Sequence, residues 1–175
     1  LNPRVTGSSS INNHAVFALS DAPLFLFQIL EWVNIEYELG IEANNNRWAR
    51  QENIDGWSQL VVKHTQDTIE FITDAPSSGI YRMYDTGHIK FDRMDTHRRA
   101  VENENEAFFL RISRKGDYLY EGADIGILVS RGRMMTDDFQ LNNRAKHWIK
   151  AIRGKYGSEM VEDKTKPKLS GSLTK

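Results

Sequence analysis

Four consecutive stretches, SQLVVKHTQDTIEFITD, SGIYRMYDTGHIKFDRM, EAFFLRISRKGDYLYEG and ADIGILVSRG, alternate or cluster β-forming residues between turn residues across residues 58–132. Nothing else in the chain limits the fold as strongly. Val, Ile, Phe, Tyr and Thr fit a pleated, half-buried surface, and short strands separated by tight turns pair most simply with their chain neighbours, antiparallel. Two hairpins are predicted, one turning at Asp85-Thr86-Gly87 and one at Arg114-Lys115-Gly116-Asp117, because glycine supplies the positive φ of a tight reversal.

Helical signals flank this block. Ser20 or Asp21 can cap a helix that Pro23 opens and that runs through Leu24, Phe27 and Leu30. It is apolar all round, so the expectation is burial, either in the core or against another chain. At the other end, Thr136 with Asp137 and Asp138 predicts a cap and an acidic first turn. Leu141, Ala145, Trp148 and Ile152 then fall on one face, and Lys150, Arg153 and Lys155 complement the carboxyl end before Gly157. The fold class expected is α+β: an antiparallel sheet of about four to six strands with an N-terminal and a C-terminal helix packed on it.

The region between the first helix and the sheet carries two further patterns. From Asn34, apolar Ile35, Tyr37, Leu39 and Ile41 alternate with Glu36, Glu38 and Glu42, the period of a half-exposed strand with a row of glutamates facing outward. Residues 42–57 show neither period and read as a long loop. Loops of this length often bind, and Trp48 between Arg47 and Arg50 is an amphipathic anchor suited to a contact surface, or to pinning the loop to the core together with Trp57.

The 175 residues, 39% of them hydrophobic, fit one domain able to bury a core. The expected organisation is a polar arm over residues 1–13, an α+β domain over 14–157 and a polar tail over 158–175, both ends too poor in apolar residues to order in isolation. The formal charge of −1 supplies no overall field toward nucleic acid or an anionic membrane. The apolar run at residues 22–33 is too short to span a bilayer and does not read as a signal peptide, so no membrane partner is expected. With no cysteine there is no disulfide framework and no thiolate chemistry, and the compartment stays open between cytoplasm and virion.

The densest chemistry is HIKFDRMDTHRR, residues 88–99. His88, Asp92, Asp95 and His97 offer the nitrogen and oxygen ligands that zinc, iron or manganese accept. Their spacing matches no recognised metal pattern, and Arg93, Arg98 and Arg99 alongside would repel a cation and pair with the aspartates instead. The preferred reading is a polar strand end without a metal or cofactor. Asp92, Glu104, Glu106 and Asp124 are carboxylates from which a magnesium-dependent nuclease site would have to be built, yet ENEAFFLRI places Arg111 where a carboxylate–x–lysine pair would be expected, and Asp124 has no nearby lysine in the sequence. Arg111, Arg114, Lys115, Arg131 and Arg133 could gather into a phosphate-contacting patch. No phosphate-cradling or nucleophile-elbow motif occurs.

The function expected from these features is non-catalytic: a structural or interaction subunit of a larger, oligomeric assembly of the kind that includes viral connectors and tails. Its partners would be further copies of the chain or other protein subunits, contacted through Arg47, Trp48, Arg50, Arg114, Lys115 and Asp117. Nucleic-acid binding or processing is the alternative, and a small metal-dependent hydrolase centred on His88–His97 stands behind it.

Overall fold

A computed structural model describes residues 11, 24–38, 40–50, 56–95 and 101–161 of the chain. Strands β1 (Trp57–Lys63), β2 (Glu70–Asp74), β3 (Gly79–Met83), β4 (Ile89–Arg93), β5 (Glu106–Arg111), β6 (Tyr118–Leu119), β7 (Asp124–Arg131) and β8 (Gly157–Met160) accompany helices α1 (Leu24–Trp32), α2 (Ile41–Trp48) and α3 (Asn143–Arg153). The fold is mixed α+β. Its strands form two antiparallel sheets, a five-stranded one in the order β1-β7-β5-β3-β4 and a three-stranded one in the order β6-β2-β8.

Register decides which side chains share a face. Leu60 lies opposite Leu128, Leu128 opposite Phe109, and Tyr81 opposite Ala107. These residues carry one face of the large sheet, and Ala145, Trp148 and Ile152 of α3 pack against it with Ile89 and Met134. The spacing of three and four along α3 therefore does what the sequence pattern implies. The opposite face, where Ile80, Phe108 and Val129 meet, is covered by Val101 and Ile11. Apolar residues on both faces explain why β5 and β7 read as nearly continuous hydrophobic runs.

The start of α3 differs from the expected one. Asn142 is the cap, its side chain accepting from the Ala145 N–H at 2.9 Å. Thr136 instead closes a small loop, its N–H donating to the Gln140 carbonyl at 2.8 Å, and Phe139 sits at φ 57°, a left-handed conformation that a helix cannot pass through. Leu141 consequently precedes the helix and bridges Met135.

The turn Arg114–Asp117 is tight, with Gly116 at φ 93° and the Asp117 N–H donating to the Arg114 carbonyl at 3.0 Å. It does not close a hairpin onto β5. The outgoing strand β6 leaves the large sheet and pairs with β2, and Gly116 and Asp117 already exchange hydrogen bonds with Ile72. Strand β8 pairs with the other edge of β2, so the chain stays in the fold through Met160, past the start of the expected tail at residue 158. Val62, Ile72, Leu119, Ala123 and Ile125 form the core between the sheets, and Tyr156 packs on both this cluster and the one under α3.

Within the first fifty residues, the described ones depart most from expectation, and the helix start expected at Ser20, Asp21 and Pro23 lies outside them. Helix α1 is present, but Leu26, Ile29 and Trp32 are exposed, Trp32 by 69%. It ends in a Schellman motif: Asn34 adopts φ 53°, the Ile35 N–H donates to the Leu30 carbonyl at 3.1 Å and the Asn34 N–H to the Glu31 carbonyl at 3.2 Å. The expected strand beginning at Asn34 is absent among the described residues. Residues 35–38 pair with no strand, and Ile41, expected in that strand, together with residues 42–48, expected as loop, forms α2, with Glu42 in its first turn and Arg47 in its last. Alternation alone does not make a strand where no neighbour supplies the ladder. No helix among the described residues is long and apolar enough to cross a membrane.

Candidate functional site

The His88–Asp95 stretch is divided by its own backbone. Ile80 pairs with Arg93 but Tyr81 pairs with Phe91, leaving Asp92 as the extra residue of a β-bulge. Such a bulge re-aims the side chains beside it, and here Arg93 reaches past β3 to a buried carboxylate on β5, Glu106, while Asp92 faces Arg82 and Arg93. Glu106 opens β5 and is wholly buried. Its Oε1 accepts from Arg82 Nη2 at 2.9 Å and Arg93 Nη1 at 3.5 Å; its Oε2 accepts from the Glu102 N–H at 3.0 Å and Arg93 Nη2 at 3.5 Å.

Two guanidinium groups therefore clamp one carboxylate, and Asp92 and Asp95 balance the second positive charge. Arg93 contacts Asp92 directly and lies 3.8 Å from Asp95, while Arg82 reaches Asp92 at 3.6 Å. Desolvation pulls the Arg93 guanidinium down, but its hydrogen bonds to Glu106 and Asp92 outweigh this and raise it above its ordinary value. A buried charge is tolerable only when paired and hydrogen-bonded. Arg82, Arg93 and Glu106 meet that condition, which makes this cluster a structural device tying β3, β4 and β5 together.

Of the four candidate metal ligands, the three that are described do not gather at this centre. His88 stacks on Tyr84, ring centroids 4.8 Å apart and planes within 7°, and its Nδ1 contacts the Thr86 hydroxyl. Asp92 and Asp95 face arginine, and His97 lies outside the described residues. Among the described residues no three His, Asp or Glu side chains are grouped to hold a metal ion. Of the remaining carboxylates, Asp124 pairs with Lys63 at 2.7 Å across the β1–β7 ladder, a lysine that is remote in sequence.

The basic residues do not form one patch either. Arg111 pairs opposite Gly126 and Arg131 lies five positions further along β7, so the two are separated by roughly 17 Å of strand. Arg131 stacks over the Trp57 ring at 4.9 Å and donates to the Val101 carbonyl at 2.8 Å. Arg133 pairs with Asp137 at 2.6 Å, and Arg111 reaches the Pro76 carbonyl at 3.3 Å. Arg114 and Lys115 stand exposed on the turn before β6, where Asp117 accepts from the Arg114 N–H at 2.9 Å. Arg47 and Arg50 are exposed at the end of α2, and the side chain of Trp48 falls outside the described residues.

A feature that sequence reading missed lies between the β3–β4 turn and α3. A cleft of about 750 Å³ opens there, with Met83, Ile89 and Ala151 along its floor and Tyr84 with His88 on one wall. Arg144, His147, Lys150 and Lys155 form the other wall, with Asp85 and Glu104 at the rim. Arg144 is committed to Glu104 at 3.1 Å and to the Arg131 carbonyl; burial lowers its basicity and the Glu104 charge offsets part of this. Lys146, Lys150 and Lys155 make no ion pair among the described residues and are exposed. The signal was in the sequence: residues 143–155 contain Arg144, Lys146, Lys150, Arg153 and Lys155 and no acidic residue. It read there only as a helix end matched to its dipole.

Compared with protein-family models, curated proteins and solved structures, the chain matches none of them.

Proposed function

We propose that this chain is a non-catalytic subunit of a protein assembly, built from further copies of itself or with other proteins, in the manner of small α+β subunits that form rings and tubes such as viral connectors and tails. The observation that carries this reading is the exposure of Leu26, Ile29, Trp32, Val33, Ile35 and Ile41 within one short stretch. Contiguous apolar surface of this kind marks a contact site in a chain that stays in solution, and Trp is the side chain most enriched where interfaces concentrate their energy. In the assembled state α1 covers a neighbouring surface, so that the expected helix-on-sheet packing is made across a subunit boundary.

Arg47, Trp48 and Arg50 continue the same stretch, and Arg114, Lys115 and Asp117 form a second, polar contact on the turn before β6. Nucleic-acid binding has weaker support, since Arg111 and Arg131 lie far apart and Arg131 and Arg133 are engaged within the fold. Light scattering on purified protein tests the reading. A mass that is a multiple of 20.2 kDa is expected, falling to the monomer value in Trp32→Glu without change in circular dichroism. A wild-type chain that stays monomeric and captures no protein partner ends it.

A further inference from the structure

We infer that residues 26–38 and 40–42 of one copy seat in the cleft between the β3–β4 turn and α3 of a second copy. The inference rests on the assembly reading above and names the occupant and the receptor. Three observations converge. The segment is acidic, with Glu31, Glu36, Glu38 and Glu42 all exposed and no basic residue between Leu24 and Asn46. The receptor wall is basic, and Lys150 and Lys155 make no ion pair among the described residues. Leu26, Ile29, Trp32, Val33, Ile35 and Ile41 of the segment are exposed within their own chain, while the cleft floor of Met83, Ile89 and Ala151 offers them an apolar seat.

The local geometry suits docking as a preformed unit. The Schellman motif at Asn34 folds residues 35–38 back along α1, Phe27 packs on Tyr37 with centroids 5.5 Å apart, and the Tyr37 hydroxyl donates to Glu31 at 2.9 Å. Little conformational freedom is then lost on binding. Lysines opposite glutamates fix orientation and speed encounter, whereas burial of Trp32 and Ile29 supplies affinity. A polyphosphate strand fits the same cleft less well, because Asp85 and Glu104 stand at its rim and its floor is apolar. An arm from one subunit in the cleft of another closes into a two-fold dimer when exchanged reciprocally and propagates into a ring or filament when passed head to tail.

Sedimentation velocity on the full chain, with two variants, provides the test. Lys150→Glu/Lys155→Glu alters only the cleft, and Trp32→Glu alters only the arm. Each variant alone is expected to self-associate at least about tenfold more weakly than wild type while keeping its circular dichroism. An equimolar mixture of the two is expected to recover a dimer, because each variant retains the half that the other lacks. If the lysine variant associates like wild type while Trp32→Glu does not, the cleft is wrong and the assembly reading survives. Wild-type protein that remains monomeric overturns the contact between copies, and it overturns the assembly reading as well when it captures no other protein. Wild-type protein that remains monomeric and also binds a fluorescent single-stranded oligonucleotide, with binding lost in Lys150→Glu/Lys155→Glu, reassigns the cleft to nucleic acid.

Discussion

Arg82 on β3 and Glu106 on β5 lie directly opposite each other in the strand register and meet at 2.9 Å, the carboxylate wholly buried and the guanidinium reaching it from a half-exposed position. Ladder geometry alone would bring the two backbones together here. The ion pair adds a requirement that both side chains be present. Glu106→Ala removes the acceptor shared by Arg82, Arg93 and the Glu102 N–H, while both guanidinium groups keep Asp92 and some contact with water, and is expected to cost about 2–3 kcal/mol in urea denaturation. Arg82→Met/Glu106→Leu should recover a large part of that loss, since an apolar pair removes the unmatched charge. A Glu106→Ala variant within 1 kcal/mol of wild type, on the order of a surface substitution, contradicts the clamp.

Gly126 sits on β7 against the Phe109 ring. A Cβ there would collide with the ring and stand 2.8 Å from the Leu110 carbonyl. Gly126→Ala therefore overpacks the face under α3 and is expected to cost about 1–3 kcal/mol. Shortening the obstacle in Gly126→Ala/Phe109→Leu should make the two changes non-additive, which a double-mutant cycle of thermal melts reads directly.

Two tryptophans on helices give opposite expectations. Trp148 is wholly buried on the sheet-facing side of α3, so Trp148→Ala should lower stability by about 3–5 kcal/mol. Trp32 is 69% exposed, and Trp32→Ala should leave the thermal midpoint of a dilute monomer unchanged while weakening self-association by about 2 kcal/mol. Melting at several protein concentrations separates these effects, because association makes the midpoint concentration-dependent.

Burial raises the hydroxyls of Tyr81 and Tyr156 above their ordinary value of 10.0, and the nearby Arg111 charge offsets only part of the shift. Tyr156 Oη lies 3.1 Å from the carbonyls of Ser113 and Ile125, and Tyr81 donates to the Ser77 carbonyl at 2.8 Å. The folded values are raised, so the stabilisation is complete below pH 10 and is lost as pH climbs from 10 toward them. The decline is at most about 1.4 kcal/mol per pH unit for each tyrosine. Tyr156→Phe should cost about 0.5–1.5 kcal/mol at neutral pH and give a shallower alkaline decline. An unchanged slope in that variant would show that Tyr156 stays accessible to hydroxide.

Legibility followed the range of the interactions. The β3–β4 hairpin at Asp85-Thr86-Gly87 and the buried stripe Ala145, Trp148, Ile152 were readable because period and turn chemistry are local. The partition into two sheets was not, because the turn at Arg114–Asp117 has the same chemistry whether Tyr118 returns along β5 or crosses to β2; the choice is made by Ile72, remote in sequence. Ile35, Tyr37 and Ile41 alternated as a strand would, but Asn34 in the left-handed region had ended a helix and no neighbouring strand was there to pair. Arg93 does pair with Asp92 and Asp95, while Arg98 and Arg99 lie outside the described residues; the acid at the centre, Glu106, looks in the sequence like one among several in ENENEAFF. Only the fold reveals that it alone of those glutamates is sealed from water.

The central position of β2 in the small sheet has a consequence for how the chain is made. Its outer neighbour β8 pairs Asp74 with Gly157, so a ribosome releases one partner roughly 80 residues after the other. At about 5–20 residues per second, β2 waits on the order of 4–16 seconds with one edge bare. The large sheet can close before that interval ends, since its last strand, β7, is complete at Arg131, ahead of Gly157. The nascent chain thus passes through a stage with one finished sheet and one unfinished, and that open edge is where a holdase would find it.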